Sequence, residues 1–220
     1  MSGVLAGKRV LVTAGPTYED IDPVRFVGNR SSGKMGFAIA AAAAGRGATV
    51  VLVAGPTELP TPGSVKRIDV RSAAQMREAV LGALPADIYI SAAAVADYTP
   101  RTTAEGKIKK SGEAMTLELV PTVDILAEVA SHPMRPGLVV GFAAETSDLE
   151  RNARGKLEGK RLDMIAANLV GVAGSGFESD DNALSVYWPG GMRQLGPAEK
   201  MRLGGELVEL IAERLTDTGR

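Results

Sequence analysis

The stretch "RVLVTAG", residues 9–15, decides how the rest of the chain is read. It is short, apolar at successive positions, carries β-branched residues and stops at Gly15-Pro16. A run with no polar face is a strand covered on both sides. "ATVVLVAGP" (48–56) repeats the pattern and again ends in Gly-Pro. Between them, residues 33–46 are alanine-rich and closed by Gly45 and Gly47, which predicts a helix. Working outward, "VKRIDVR" (65–71), "ADIYISAAAVADY" (86–98), "GLVVGFAAET" (137–146) and "LDMIAAN" (162–168) read as further strands. Helices are expected over 72–84, with Ser72 as N-cap, and over 123–131, 147–160 and the amphipathic end. Buried strands alternating with helices give an α/β fold: a doubly wound, mostly parallel, Rossmann-like sheet with helices on both faces. Two segments depart from the alternation. Polar residues 99–120 suggest an inserted flap or hairpin, and "NALSVYWPGGMRQL" (182–195) a late β-hairpin about a Pro-Gly-Gly turn.

A chain of 220 residues with 45% apolar and 23% charged residues suits a single domain over 1–220. A net charge of −1 gives no basic excess for sequence-independent nucleic-acid binding. The absence of cysteine excludes disulfides, thiolate metal sites and a cysteine nucleophile. No stretch is apolar enough to span a bilayer, and "MSGVLAGKR" lacks the apolar region of a signal peptide. A cytoplasmic enzyme or binding protein is expected. The abrupt first strand fits a native terminus or a domain taken from a longer chain.

In a doubly wound fold, ligands sit beyond the carboxyl ends of the strands. The segments placed there are rich in Gly, Ala, Ser and Thr, which let a ligand approach the backbone. "NRSSGKMG" (29–36) matches neither GxGxxG nor the P-loop spacing. It reads equally as an anion cradle entering a helix or as a capping loop with Ser31 or Ser32 as the cap. The lysines of "KIKK" (107–110), like Lys156 and Lys160, read on charge alone as solvated surface, and otherwise as clamps on phosphate. Asp97 reads as a loop start or as a carboxylate for a magnesium–phosphate group. His132, the sole histidine, precedes Pro133 in an exposed turn. A Ser–His nucleophile is not expected.

Taken in order, "VTAGPTYEDIDPVRFVGNRSSGKMGFAIA", "AAAVADYTP", "KIKK", "VVGFAAET", "LDMIAAN" and "GFESDDNAL" resemble the bacterial phosphopantothenoylcysteine synthetase family. The resemblance runs from Lys8 to the final helix. It implies a CTP-dependent ligase of coenzyme A biosynthesis that joins 4′-phosphopantothenate to cysteine through an acyl-cytidylate. It also implies Mg²⁺ with CTP, a homodimer, and a flavin-dependent decarboxylase fused or associated. By resemblance, Asn29 contacts the acyl intermediate, Arg25 a phosphate of phosphopantothenate, and Lys107, on a flexible flap, serves acyl-cytidylate formation. Ala93, Ala94, Asp97, Lys107, Phe142, Lys156 and Lys160 fall on CTP-binding positions, and Asp97 is the candidate for Mg²⁺. So do Val123, Asp124, Ile125 and Leu126, although the family usually has "PDI" where this chain has "VDI". The amides of Ser31, Ser32 and Gly33 are the candidates for the CTP phosphates. The hairpin at 182–195, with Tyr187 and Trp188, is expected at the subunit contact, or else packed on the chain's own final helix.

Two other classes fit the fold. An NAD(P)-dependent oxidoreductase needs GxGxxG after the first strand and an acid at the end of the second, and "AGPTYED" and "AGPTE" supply neither. A non-catalytic nucleotide-binding assembly module would bind CTP and release no pyrophosphate.

Overall fold

The computed structural model describes residues 3–112, 114–170 and 180–217. Residues 176–179 of the "GFESDDNAL" block lie outside them. In chain order the elements are β1 (Arg9–Ala14), β2 (Tyr18–Asp20), β3 (Phe26–Gly28), α1 (Lys34–Gly45), β4 (Thr49–Ala54) and β5 (Val65–Asp69). Next come α2 (Ala73–Gly82), β6 (Ile88–Ser91), β7 (Tyr98–Pro100), β8 (Leu119–Pro121), α3 (Ile125–Ala130) and β9 (Leu138–Glu145). The chain ends with α4 (Leu149–Gly159), β10 (Met164–Leu169), β11 (Asp181–Trp188), β12 (Gly191–Glu199) and α5 (Lys200–Asp217).

The main sheet has eight strands in the order β12-β11-β10-β9-β6-β1-β4-β5. From β10 to β5 every pairing is parallel, and β11 and β12 add an antiparallel hairpin at one edge. Alternate side chains feed two cores. Val10, Val12, Leu52, Ile90 and Val140 pack beneath α1 and α5, and Leu11, Tyr89, Val139 and Ile165 beneath α2, α3 and α4. Burial on both faces is why these strands read as unbroken apolar runs. A Cβ on Gly36 would lie 2.5 Å from the Cβ of Ala14, so α1 rests almost directly on β1. Ser72 caps α2 as expected, in a reciprocal capping box with Gln75.

Three departures have physical causes. The expected strand over 86–98 ends at Ser91, because Ala94 leaves the sheet to pair with Gly15 and Pro16 while Ala96 N–H donates to the Thr17 hydroxyl at 2.9 Å. Residues 16–28 contain an antiparallel pair, β2 with β3, whose three-residue strands are too short to show a period. The polar segment is closed at its base by β7 pairing with β8, and residues 101–118 form neither helix nor strand among those described.

The aromatic residues of the late hairpin are covered within the chain. Tyr187 is buried with the Arg154 guanidinium of α4 over its ring, and half-buried Trp188 lies under Arg214 of α5.

Candidate active site

The order of chain connections reverses between β1 and β6: β4 and β5 extend the sheet to one side of β1, and β6, β9 and β10 to the other. A cleft of about 530 Å³ opens at the carboxyl ends of these strands, as expected of such a switch point. Its walls are residues 29–36, 91–95 and 97, 122–126 and 142–144, with Lys156 of α4 and Lys160 at its C-cap.

On the α1 side, Gly33 is the N-cap residue at φ 76°, and no side chain caps the helix. Neither Ser31 nor Ser32 therefore caps α1, because the left-handed turn at Gly33 puts the helix start one residue later. The Ser31 hydroxyl instead accepts from Gly33 N–H at 3.3 Å, and the Ser32 carbonyl accepts from Thr57 at 3.3 Å. A helix start with no side-chain cap turned to a cleft suits an anion. Asn29 sits beside it, its Nδ2 donating to the Val95 carbonyl at 2.9 Å, which joins the opening loop to the alanine-rich one. Ala93, Ala94 and exposed Asp97 line the same wall.

On the opposite side, Asp124 caps α3 through Ala127 N–H at 3.0 Å and pairs with Lys160 Nζ at 2.7 Å. Burial pushes the Asp124 carboxyl up, but Lys160 and the Ala127 and Leu126 amides outweigh it and hold it below the ordinary carboxylate value. Lys156 Nζ lies 2.7 Å from Glu145. Ile125, Leu126, Phe142 and Ile165 give the cleft an apolar patch between these ion pairs, and Val123 stands exposed at its rim.

Arg25 and Lys107 stand apart from these walls. Arg25, on the turn between β2 and β3, pairs with Asp22 at 2.6 Å, and Lys107 is exposed beside Ile108, whose carbonyl accepts from Arg25 at 3.2 Å. His132 is half-buried after α3, away from the cleft, with its Nδ1 accepting from Met134 N–H.

Asn168, Asn182 and Lys200 are polar cleft residues that escape sequence reasoning, and Lys34 is marked only as part of the loop at 29–36. The antiparallel return explains them, since β11 starts, and β12 ends, at the carboxyl end of β10. That geometry sets Asn182 and buried Lys200 near Lys34, which pairs with Asp180 at 2.5 Å. Burial, then the charge of Lys34, pushes the Lys200 ammonium below the ordinary lysine value, and Asp180 opposes the shift. Asn168 did carry a signal, standing at the end of an apolar run as the other lining residues do.

Among the described residues no three His, Asp or Glu side chains gather as a metal cage. A magnesium ion that arrives on a polyphosphate needs only one or two protein carboxylates. Asp97 on the cleft wall fits that requirement.

Residues 5–215 match the family model of the DNA/pantothenate metabolism flavoprotein C-terminal domain. The coenzyme A biosynthesis bifunctional protein CoaBC of Vibrio cholerae is 53% identical over 215 residues, covering 96% of this chain and 54% of that protein. Its counterpart in Escherichia coli is 48% identical over 215 residues, covering 96% and 53%. The chain spans about half the length of the curated relatives it matches. A crystal structure of the C-terminal domain of the coenzyme A biosynthesis bifunctional protein CoaBC superposes with a TM-score of 0.83 at 41% identity, covering 98% of this chain and 100% of that one.

Proposed function

This chain belongs to the DNA/pantothenate metabolism flavoprotein C-terminal domain family, and from that premise we propose that it is a phosphopantothenate–cysteine ligase driven by CTP. The observation that carries the reading is the cleft at the switch point. It combines an α1 N-terminus without a side-chain cap, the Asn29–Val95 link, an apolar patch at Phe142 and the ion-paired Lys156 and Lys160.

In the first step the carboxylate of 4′-phosphopantothenate attacks the α-phosphorus of CTP. The bond from that phosphorus to the bridging oxygen breaks, and pyrophosphate leaves. Two anions must meet, so fixed positive charge has to offset their repulsion. Lys34, Lys200 and the amides at residues 31–33 supply it on one side of the cleft, and Lys156 and Lys160 on the other. Lys107, on the flap, adds charge as the pentavalent centre forms. Asp97 would hold a Mg²⁺ arriving with the triphosphate, and that ion would supply charge neutralisation there.

In the second step the cysteine amine attacks the acyl carbon, CMP leaves with the bonding electrons, and the amine loses a proton. Asn29 holds the acyl group beside that amine. Positioning and exclusion of water are the chief requirements here, and no side-chain nucleophile takes part. The base and ribose lie against Phe142 and residues 123–126, between the two ion pairs.

The same reading includes a cytoplasmic enzyme, a twofold homodimer, and a flavin-dependent decarboxylase fused to or associated with the chain. Relatives of about twice the length whose name is "bifunctional" support the last. No described helix is long and apolar enough to cross a membrane. For the dimer, Val24, Phe26, Tyr98 and Leu119 are exposed on the two small sheets and the turn at Val24, whereas the hairpin's aromatics are already covered. That favours the small sheets over the hairpin as the contact.

The test is to supply CTP or ATP with Mg²⁺, phosphopantothenate and cysteine and to follow pyrophosphate. Release with CTP that depends on phosphopantothenate supports the ligase. CTP binding without release favours an assembly module, and faster release with ATP overturns the nucleotide assignment.

A further inference from the structure

Asp22 is the most deeply buried carboxylate near the flap, with a side chain 0% exposed. A buried carboxylate is costly unless its oxygens are occupied. Oδ1 accepts from Val24 N–H at 2.8 Å and Arg25 N–H at 2.9 Å, which closes a tight turn. Oδ2 accepts from Arg25 Nη1 at 2.6 Å and from Ile108 N–H at 3.1 Å, 86 positions along the chain. Arg25 Nη1 completes the set by donating to the Ile108 carbonyl at 3.2 Å. The backbone of Ile108 is thus held through both its donor and its acceptor by one ion pair. Two more bonds lie alongside: Ala104 N–H to the Ile21 carbonyl and Thr103 Oγ1 to the Asp20 carbonyl, each at 3.0 Å. Lys107 and Lys109 flank the clamped residue and are exposed.

We propose that Asp22 is a positioning residue that, with Arg25, clasps the flap at Ile108 and sets where the flanking Lys107 is carried. The inference rests on the ligase reading for its catalytic consequence, whereas the clasp itself does not. It gives Arg25 a role without requiring it to touch substrate: loss of Arg25 frees the Ile108 carbonyl and loosens the flap. Burial pushes the Asp22 carboxyl up, but the Val24, Ile108 and Arg25 amides and the guanidinium hold it below the ordinary carboxylate value. The clasp is therefore ionised at neutral pH.

Asp22→Asn separates the two halves of the arrangement. The Asn oxygen can still accept from the Val24 and Arg25 amides. Its NH₂ then faces two donors, Ile108 N–H and Arg25 Nη1, and cannot accept from either. Trypsin reads the clasp directly, because the lysines at 107, 109 and 110 are its cleavage points. Asp22→Asn should be cut within 107–110 roughly tenfold faster than wild type at a temperature where both proteins are folded, with the thermal midpoint lowered by roughly a few degrees because two donors lose their acceptor. Acyl-cytidylate formation should fall by a similar factor in kcat, with KM for CTP unchanged because the cleft walls are untouched. Should Asp22→Asn fail to fold, Ile108→Pro removes the flap's N–H while leaving every local bond of Asp22; since trypsin does not cut a Lys–Pro bond, faster cutting is then read after Lys109 and Lys110 alone, and the first step should slow as in Asp22→Asn. Unchanged proteolysis in the folded variants overturns the clasp. Faster proteolysis with a wild-type first step overturns the positioning role. The proteolysis result holds even if the wild-type chain makes no cytidylate, so failure of the ligase reading is told apart from failure of this one.

Discussion

Lys160 Nζ and Asp124 Oδ2 lie 2.7 Å apart, joining the C-cap of α4 to the N-cap of α3 across the wall of the cleft. One carboxylate caps a helix and holds a cleft-lining lysine at once. The two roles separate by substitution. Asp124→Ala should cost roughly 1–2 kcal/mol by loss of the cap. Asp124→Asn keeps a good cap and should cost under about 1 kcal/mol, the value of a partly exposed pair. Because the folded carboxyl titrates below its unfolded value, its ionic contribution is complete above the unfolded value and fades as pH falls through the folded one. The stability gap between wild type and Asp124→Asn, measured by urea unfolding, should therefore be constant near neutrality and close in acid. A gap that widens in acid refutes the assignment.

Lys107→Gln should abolish rapid acyl-cytidylate formation and leave the thermal midpoint within about 1 °C, since removing an exposed charge costs little. Quenched-flow measurement of the first half-reaction decides it. A normal rate makes Lys107 a surface charge only.

Asn29→Asp replaces a donor with an acceptor facing the Val95 carbonyl and, on the proposed ligase reading, sets a negative charge beside an anionic intermediate. Cytidylate should still form but convert to product at least roughly tenfold more slowly, as expected when a positioning contact becomes repulsive. Trapped intermediate is the expected sign, and equal slowing of both steps counts against it.

Lys200 should give CTP binding an alkaline limb below the ordinary lysine range, because burial and Lys34 disfavour its charge. The sign for stability is opposite. Below its folded value the buried ammonium costs stability, and that cost fades as pH rises toward the unfolded value. Titrating CTP affinity against pH should show Lys200→Arg holding its affinity to higher pH than wild type. Superimposable profiles remove Lys200 from anion binding.

Leu119→Glu should yield monomer where wild type is dimer, because a charge placed on a twofold contact is felt in both copies. Light scattering at micromolar protein is the measurement. A wild-type monomer with full ligase activity refutes the dimer altogether.

The main sheet was legible because strands buried on both faces cannot hide their apolar character, and the Ser72 cap because its side chain and Gln75 stand at the required spacing. Two kinds of feature were not legible. The small sheets, β2 with β3 and β7 with β8, are stabilised by pairing and tertiary contact rather than by local pattern. Lys200 looks like any helix-surface lysine until the antiparallel return of β11 and β12 brings it to Lys34 of the loop at 29–36. The loop at 29–36 left an anion cradle and a serine cap equally open, and the structure removes the serine cap, since a left-handed Gly33 leaves no mark on the residues beside it. Arg25 and Lys107, matched to the family as separate functional positions, are joined to each other through Ile108 instead of lining the cleft.

Trp188 stands where the hairpin turns, at the end of the sheet opposite the cleft, stacked against Arg214. As the sole indole in the chain it makes this edge a built-in fluorescent reporter with an unusual division of labour. Its emission follows the docking of β11 and β12 on α5 and should be blind to a ligand entering the cleft some strand-length away. Unfolding and ligand occupancy can therefore be followed in one cuvette as separate signals, the first from this native indole and the second from a dye attached to a cysteine introduced on the flap of a chain that has none of its own.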